Sequence, residues 1–160
     1  MFGFIKKDRK EDEKKTIDNP VMGKLTFDDQ WYGKFNCKIF NNEKDIILIV
    51  YVDEENTDFM EAQEKAYCYY CDNVDKVNSK MEGEFRYTYE LDDDFPLESR
   101  FEPSKFIIYP DGACGISFRD HEEDEYSAAG YIVFSIRPRV IYAGSEHDYW
   151  SIYNKKGDKL

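Results

Sequence analysis

The chain has 160 residues, a length that suits one domain with a single buried core. Hydrophobic residues make up 41% and charged residues 35%, so most of the chain is expected to fold rather than stay disordered. The formal net charge of -12 argues against nucleic acid and anionic lipid as direct partners, because phosphates would be repelled along most of the surface. A basic protein is electrostatically the easier partner. The alternative is that the negative charge only keeps the protein soluble.

A charged lead-in is predicted for residues 1–20. Met1–Met22 holds six Lys or Arg and five acidic residues, a net charge of +1, so residues 23–160 carry -13. The first apolar stretch ends at Ile5, which is too short for a secretory signal, and no window approaches the length of a membrane span. We therefore expect a flexible lead-in and a cytoplasmic protein with reduced thiols.

The stretch GKLTFDDQWYGKF predicts a β-hairpin. The strand Met22–Phe27 turns through residues 28–30, and Trp31–Phe40 returns. Gly33 is expected to leave room for the neighbouring indole or for a crossing backbone. One parity persists across the turn, so both strands are expected to send the same set of side chains to one face of the sheet: Leu25, Phe27, Trp31, Gly33, Phe35, Cys37 and Ile39.

A central strand and a long helix are predicted next. The apolar run IILIVYV at 46–52 is typical of a strand covered on both faces. The helix is predicted from Asp58 to Met81, because Asp58 and Glu61 have the form of a capping box and Gly83 stands where a helix end is expected. Its apolar residues recur every three or four positions and form one stripe: Phe59, Ala62, Ala66, Tyr70, Val74, Val77 and Met81.

The second half of the chain is predicted to add more strands. Residues 84–91 alternate like a strand but could also extend the helical region, and Pro96–Phe101 predicts a short helical turn. A second hairpin is predicted where Pro-Asp-Gly joins 104–109 to 113–120. Two final strands, 128–137 and 139–144, are separated by Pro138 at a bend or a sheet edge.

Together these elements predict an α+β fold. It consists of an antiparallel β-sheet of about six to seven strands with one long amphipathic helix packed on it. We expect a single α+β domain at 21–145, followed by a C-terminal tail at 146–160 that is partly packed.

The sequence CYYC places Cys68 and Cys71 at the spacing of a thiol redox centre. The pair lies about three turns into the predicted helix, where the effect of the helix N-terminus on a thiol pKa has faded. Cys37 and Cys114 share the parity of core residues, so a zinc site of four cysteines remains an alternative. Buried, incidental thiols are the preferred interpretation, and no catalytic, cofactor or metal site is predicted.

Acidic runs and two C-terminal aromatic residues are the candidate protein interface. Carboxylates attract basic partners, and Trp and Tyr are efficient anchors in interfaces. The alternative for the two aromatic residues is that they cover a sheet edge. The candidate interface residues are Asp92, Asp93, Asp94, Glu122, Glu123, Asp124, Glu125, Tyr149 and Trp150.

The opening hairpin resembles that of a group of small uncharacterised bacterial domains with the pattern Gly-x-Leu-x-Phe-Asp followed by Trp-x-Gly. The residues that match are Gly23, Leu25, Phe27, Asp28, Trp31 and Gly33. The likeness extends over residues 22–145 through EAQEKAY (61–67) and through turn and strand-end residues: Asp111, Gly112, Asp120, Gly130, Ala143 and Gly144. Relatives in this group carry a His near the start of the late strand, where this chain has Ala129.

Some of these families resemble immunity proteins of bacterial polymorphic-toxin systems, small acidic proteins that bind and block a cognate toxin. The resemblance implies a non-enzymatic protein-binding domain whose partner is a cognate toxin or another basic protein. Two other functions remain as alternatives. One is a thiol-redox or zinc-binding protein that uses Cys68 and Cys71, and the other is a structural or regulatory accessory domain.

Overall fold

One sheet runs through the described residues of the computed structural model, which are 14–52, 61–122, 131–134 and 140–144. Only the backbone is described for the last two ranges. Eight strands lie side by side in chain order: β1 (Thr16–Asn19), β2 (Gly23–Phe27), β3 (Trp31–Ile39), β4 (Asn42–Val50), β5 (Phe101–Ile108), β6 (Cys114–Asp120), β7 (Tyr131–Phe134) and β8 (Val140–Gly144). Together with three helices in the same described ranges, these strands make the fold α+β, as predicted.

All neighbouring strands pair antiparallel except β4 and β5, which are parallel, with Ile47 opposite Lys105 and Val50 opposite Ile108. The prediction of a wholly antiparallel sheet is therefore wrong at this one pair. A parallel pair needs a long crossover connection, and the helices supply it. They are α1 (Glu61–Asp72), α2 (Val74–Thr88) and α3 (Leu97–Arg100).

The predicted long helix is divided at Asn73. The backbone of Asn73 has φ -127° and ψ 24°, and its side-chain amide donates to the carbonyl oxygen of Tyr69 at 2.9 Å. An Asn side chain that bonds the preceding turn competes with regular helical hydrogen bonding, which accounts for the interruption. Residues 58–60 lie outside the described ranges, so the predicted capping box is not described. Among the described helices, none is long and apolar enough to cross a membrane.

Helix α2 continues to Thr88, so the strand interpretation of residues 84–91 is wrong and Gly83 lies inside a helix rather than after one. The reason is Phe85, which extends the apolar stripe by one more turn and is 1% exposed. Its ring packs edge-on against Phe101 and Phe118, with centroids 4.8 Å apart in both pairs. Burial of this ring favours helix over strand for the segment.

The main core lies between α1–α2 and one face of the sheet, as the stripe predicted. Tyr70 of α1 contacts Phe35 of β3 and Phe106 of β5, with ring centroids 5.6 and 4.9 Å apart. Phe35 and Phe106 stack on each other at 4.3 Å. The buried helix residues of this layer are Ala66, Tyr70, Val77, Met81 and Phe85.

The opening hairpin is confirmed as β2 and β3. Most of the side chains that the alternation predicts to share one face are buried: Leu25, Trp31, Phe35, Cys37 and Ile39. Gly33 faces the neighbouring strand rather than the indole: a Cβ there would lie 2.5 Å from Cδ2 of Leu25 and 3.3 Å from the carbonyl oxygen of Lys24. The glycine therefore lets the Leu25 side chain fill the space beside the β2–β3 pair.

Residues 16–19, placed by sequence in the flexible lead-in, form strand β1 and pair with β2. Asn19 fixes the turn that follows, because its Oδ1 accepts hydrogen bonds from the backbone N–H groups of Val21 and Met22 at 2.8 and 2.9 Å. Its Nδ2 donates to Glu64 of α1 at 2.8 Å. Strand β1 is thus joined to both the sheet and the helix layer, while residues 1–13 lie outside the described ranges.

The carboxyl ends of the parallel strands are bound to α1 by Gln63, which is fully buried. Its Nε2 donates to the carbonyl oxygens of Tyr51 and Ile108 at 2.6 and 3.3 Å. Strand β4 is covered on both faces only near this end, since Ile49 and Val50 are buried whereas Ile47 is 50% exposed. The expected two-sided burial of 46–52 is thus confirmed at one end and wrong at Ile47.

The short helix predicted at 96–101 and the second hairpin are confirmed as α3 and the β5–β6 pair. Strands β7 and β8 fall within the two final strands predicted. Pro138 lies outside the described ranges.

Candidate functional site

The predicted interface residues that the structure describes fall in two places. Asp92, Asp93 and Asp94 are exposed in the loop between α2 and α3, and Glu122 is exposed just after β6. The remaining candidates lie outside the described residues: Glu123, Asp124, Glu125, Tyr149 and Trp150.

Arg86 of α2 holds the acidic loop by its backbone. One guanidinium nitrogen, Nη1, donates to the carbonyl oxygens of Asp92 and Phe95 at 2.6 and 2.9 Å. Nη2 and Nε bond Oε1 of Glu82, one turn earlier on α2, at 2.9 and 3.3 Å. Because Arg86 binds carbonyl oxygens rather than loop carboxylates, it fixes the loop without neutralising Asp92, Asp93 or Asp94.

Asp94 lines an open groove of about 670 Å³, which we call the acidic groove. Its walls are the β3–β4 turn, the outer side of α2 and the segment that leads into α3. The lining residues are Lys38, Ile39, Phe40, Asn41, Asn42, Glu43, Asp75, Asn78, Ser79, Glu82, Arg86, Asp94, Phe95, Pro96, Leu97 and Glu98.

Among the described residues, five carboxylates and two cations line this groove, a formal charge of -3. Both cations are engaged: Lys38 lies 3.4 Å from Glu43, and Arg86 lies 2.9 Å from Glu82. Within the described part of the chain, the carboxylates of Asp75, Asp94 and Glu98 have no cationic side chain within 4.0 Å. The groove therefore presents unneutralised negative charge on two of its walls.

The β3–β4 turn, one wall of the groove, has an unusual backbone. Phe40 and Asn41 have φ of 48° and 58°, in the left-handed region that a bulky residue rarely adopts. The Phe40 ring packs against Phe85 and Phe118, with centroids 5.1 and 5.3 Å apart, and this burial offsets the backbone cost. Asn78 of α2 also donates to the carbonyl oxygen of Lys38 beside the turn. The turn is thus fixed to α2 by both apolar and polar contacts.

Glu122 does not line the acidic groove. Its carboxylate pairs with Nη1 of Arg100 at 3.1 Å, and the same guanidinium binds Asp120. Of the candidate interface residues that the structure describes, only Asp94 lies in the groove, with Asp92 and Asp93 beside it in the same loop. The two acidic runs that look equivalent in sequence therefore differ, since Glu122 is partly neutralised and Asp94 is not.

The four cysteines are not gathered into one site. Cys68 and Cys71 are exposed on α1, whereas Cys37 and Cys114 are buried, and none forms a disulfide. Burial raises the pKa of the Cys37 thiol to about 12. Although Cys71 is exposed as a residue, partial burial of its thiol raises its pKa, with a smaller contribution from Cys68. Such shifts disfavour the thiolate, which is the nucleophile and metal ligand. Within the described ranges, no three or more His, Cys, Asp or Glu residues are placed to hold a metal ion.

Sequence reasoning missed most of the acidic groove. Glu43, Asp75 and Glu98 lie in three different elements, and no local run of acidic residues marks them. Only the fold brings them around one cavity. Asp94 was found because it ends a visible run of acids.

Comparison of the chain with protein-family models, with curated proteins and with solved structures found no match in any of the three.

Proposed function

We propose that the chain is a non-enzymatic protein-binding domain of immunity type, which neutralises a cognate toxin by binding a basic surface on it. The observation that supports this most is the acidic groove, where Asp75, Asp94 and Glu98 lack a cation among the described residues. Carboxylates without counter-charges attract a cationic partner over long range and leave it ion pairs to form.

The fixed geometry of the groove also supports binding. Arg86 holds the loop from Asp92 to Phe95, and Phe40 holds the opposite turn. Walls that are ordered before the partner arrives reduce the entropy lost on association. The net charge of -12 extends the same attraction over the rest of the molecule. On this proposal the protein acts in the cytoplasm, where its toxin is made.

The test is co-expression with the product of each flanking gene, followed by size-exclusion chromatography with light scattering. We expect one of these products to form a stable 1:1 complex. Recovery of no complex with any of them would overturn the proposal.

A matched pair of variants tests the role of the groove. Asp75→Asn/Asp94→Asn/Glu98→Gln removes three groove charges, and Asp18→Asn/Asp72→Asn/Glu84→Gln removes three exposed charges elsewhere. We expect the groove variant to lose far more affinity for the toxin than the control. Equal losses would mean that only net charge matters and would contradict binding through the groove.

A further inference from the structure

The sheet has a second buried apolar face, opposite the helices. The buried apolar side chains of α1, α2 and α3 all belong to the main core, on the first face. Among the described residues, only Tyr32 and Tyr51 pack as partly buried apolar side chains against the second face. The described helices therefore do not supply the layer that buries it. Its buried residues form a cluster separate from the main core: Ile49, Ile107, Tyr109 and Ala113.

Burial of the second face increases across the sheet from β4 to β6. Ile47, Lys105 and Ser117 stand opposite one another on these three strands. Ile47 is 50% exposed and Ser117 only 4%, and Ile107 of β5 is 0% exposed. Neighbouring strands screen the sides of such side chains but not their outer ends, so full burial requires a further layer of chain. We therefore expect that layer to enter from the side of β6 to β8.

Strand β8 ends beside the buried side of this face. Gly144, its last residue, pairs with Tyr131, which pairs with Ser117. Strand β8 is three strand spacings from β5, about 14 Å, and five extended residues span roughly 17 Å. Residues 145–160 follow β8 and lie outside the described ranges. Tyr149 is the fifth residue after Gly144, so its ring is within reach of Ile107.

We propose that residues 145–153 cross the second face as a strap, with Tyr149 and Trp150 packed on Ile49 and Ile107. The composition of this segment suits the site, because it contains an apolar group after an acidic start. Two lysines of the second face, Lys34 and Lys105, stand in one row with Ile47, and an acidic start complements them. The acidic residues are Glu146 and Asp148, and the apolar group consists of Tyr149, Trp150, Ile152 and Tyr153.

Two other covers fit the second face less well. The lead-in joins the sheet at β1, on the side where this face is exposed, and its basic residues would meet Lys34 and Lys105: Lys6, Lys7, Arg9 and Lys10. A second copy of the chain is not needed, because Ile107 and Tyr109 are already 0% exposed within one chain.

This inference does not depend on the proposed function. It assigns Tyr149 and Trp150 to the fold of the chain, whereas the sequence marked them as candidate anchors for a partner. Their removal should then disturb the second face of the sheet, and the acidic groove should keep its structure.

The experiment is an NOE measurement on the full chain with labelled isoleucine methyl groups. We expect the methyl groups of Ile49 and Ile107 to show NOEs to ring protons of Tyr149 or Trp150. A mixed sample of labelled and unlabelled chains separates contacts within one chain from contacts between copies. NOEs only between copies, or no NOE to either ring, would overturn the inference. The second result includes the case in which aromatic residues of the lead-in give the NOEs instead.

A double variant tests the same contact. Tyr149→Leu/Trp150→Leu removes both rings and their ring currents, so the methyl signal of Ile107 should move. The signal of Ile116, on the first face, should stay. An unchanged Ile107 signal in the folded double variant would overturn the inference. The NOEs are measured on the unaltered chain, so they decide the matter if the double variant folds poorly.

The matched control removes an exposed ring elsewhere. Tyr87 of α2 is 83% exposed, so Tyr87→Leu should leave the Ile107 signal and the thermal midpoint unchanged. The double variant should lower the midpoint, because it uncovers the second face. Equal midpoints for the double variant and the control would contradict a packed strap.

Discussion

Arg100 and Asp120 form a two-point ion pair from which water is nearly excluded. The Asp120 side chain is 0% exposed and that of Arg100 14% exposed, and the two bonds join the end of α3 to the end of β6. Asp120 Oδ1 also accepts the backbone N–H of Glu122 at 3.0 Å. The pair therefore fixes the point at which the chain leaves the sheet after β6.

Removal of one partner should be strongly destabilising. Arg100→Met leaves the Asp120 carboxylate buried without its counter-charge, which should lower the free energy of unfolding by about 3 to 5 kcal/mol in urea denaturation. The double variant Arg100→Met/Asp120→Leu should recover most of that loss, because it leaves no uncompensated charge.

The surface pair Lys14–Asp28 is the control, since its side chains are 60% and 59% exposed. Lys14→Met should leave the urea midpoint unchanged. An Arg100→Met variant with a wild-type midpoint would show that the buried pair contributes nothing.

Gln63 should be needed for the attachment of α1 to the parallel pair. Gln63→Leu keeps the size of the side chain but leaves the carbonyl oxygens of Tyr51 and Ile108 without this donor. We expect a loss of about 1 to 3 kcal/mol in the free energy of unfolding. Gln63→Glu should be worse, because a carboxylate would face carbonyl oxygens. If Gln63→Leu were as stable as the wild type, the buried amide would not matter to the fold.

Two glycines should respond in opposite directions to alanine. At Gly33 the new methyl group would meet the buried Leu25 at 2.5 Å, so Gly33→Ala should cost about 1 to 3 kcal/mol of stability. At Gly83, inside α2, nothing lies within 4 Å of the new methyl group. Gly83→Ala should therefore raise stability by about 0.5 to 1 kcal/mol. Thermal melts of the two variants measure both effects. Shifts of the same sign would contradict the close contact of Gly33 with Leu25 or the open surroundings of Gly83.

The thiols should react in two classes. Cys68 and Cys71 are exposed, so an aromatic disulfide reagent should modify them in the native protein. Cys37 and Cys114 are buried and should react only when the chain opens or in denaturant. The variant Cys68→Ser/Cys71→Ser should lose the fast class. Rapid modification of all four thiols in the native protein would contradict the placement of Cys37 and Cys114.

Alkaline pH should destabilise the protein through its buried thiols. The pKa of Cys37 is raised by burial from 9.0 to about 12, and burial raises that of Cys114 as well. The unfolded chain releases these protons first, so its thiolates favour the unfolded state as the pH rises. The stabilisation that the protonated Cys37 thiol contributes is therefore complete below pH 9.0 and is lost as the pH rises toward about 12. Urea midpoints across this range measure it, and Cys37→Ala/Cys114→Ala should flatten the decline.

The parts of the fold that sequence predicted are those with a local period. Leu25, Trp31 and Phe35 alternate, and Tyr70, Val77 and Met81 recur at helical spacing, so each set identified its buried face. The parallel pairing of β4 with β5 has no such signal, because it depends on where the chain returns after the helices. Residues 84–91 were ambiguous because their aromatic residues fit both periods, and only the packing of Phe85 decides between them.

The residues of the candidate site also divide into those with a local sequence signal and those brought together only by the fold. Asp94 belongs to an acidic run and could be found from the sequence, whereas Asp75 and Glu98 are brought to it by the crossover. The left-handed turn at Phe40 could not be predicted, since the pair Phe-Asn is not a usual turn sequence of this type.

The parallel pairing of β4 with β5 delays completion of the sheet during synthesis on the ribosome. Strands β1 to β4 form a meander of near neighbours that can assemble as soon as they emerge, but the hydrogen-bonding edge of β4 has no strand until Phe101–Ile108 has been made. During that interval Leu48 and Val50 border a bare strand edge, which another nascent chain could pair with. The helices Glu61–Asp72 and Val74–Thr88 are made in this interval. They are therefore the first elements that can pack on the apolar face of the β1–β4 meander.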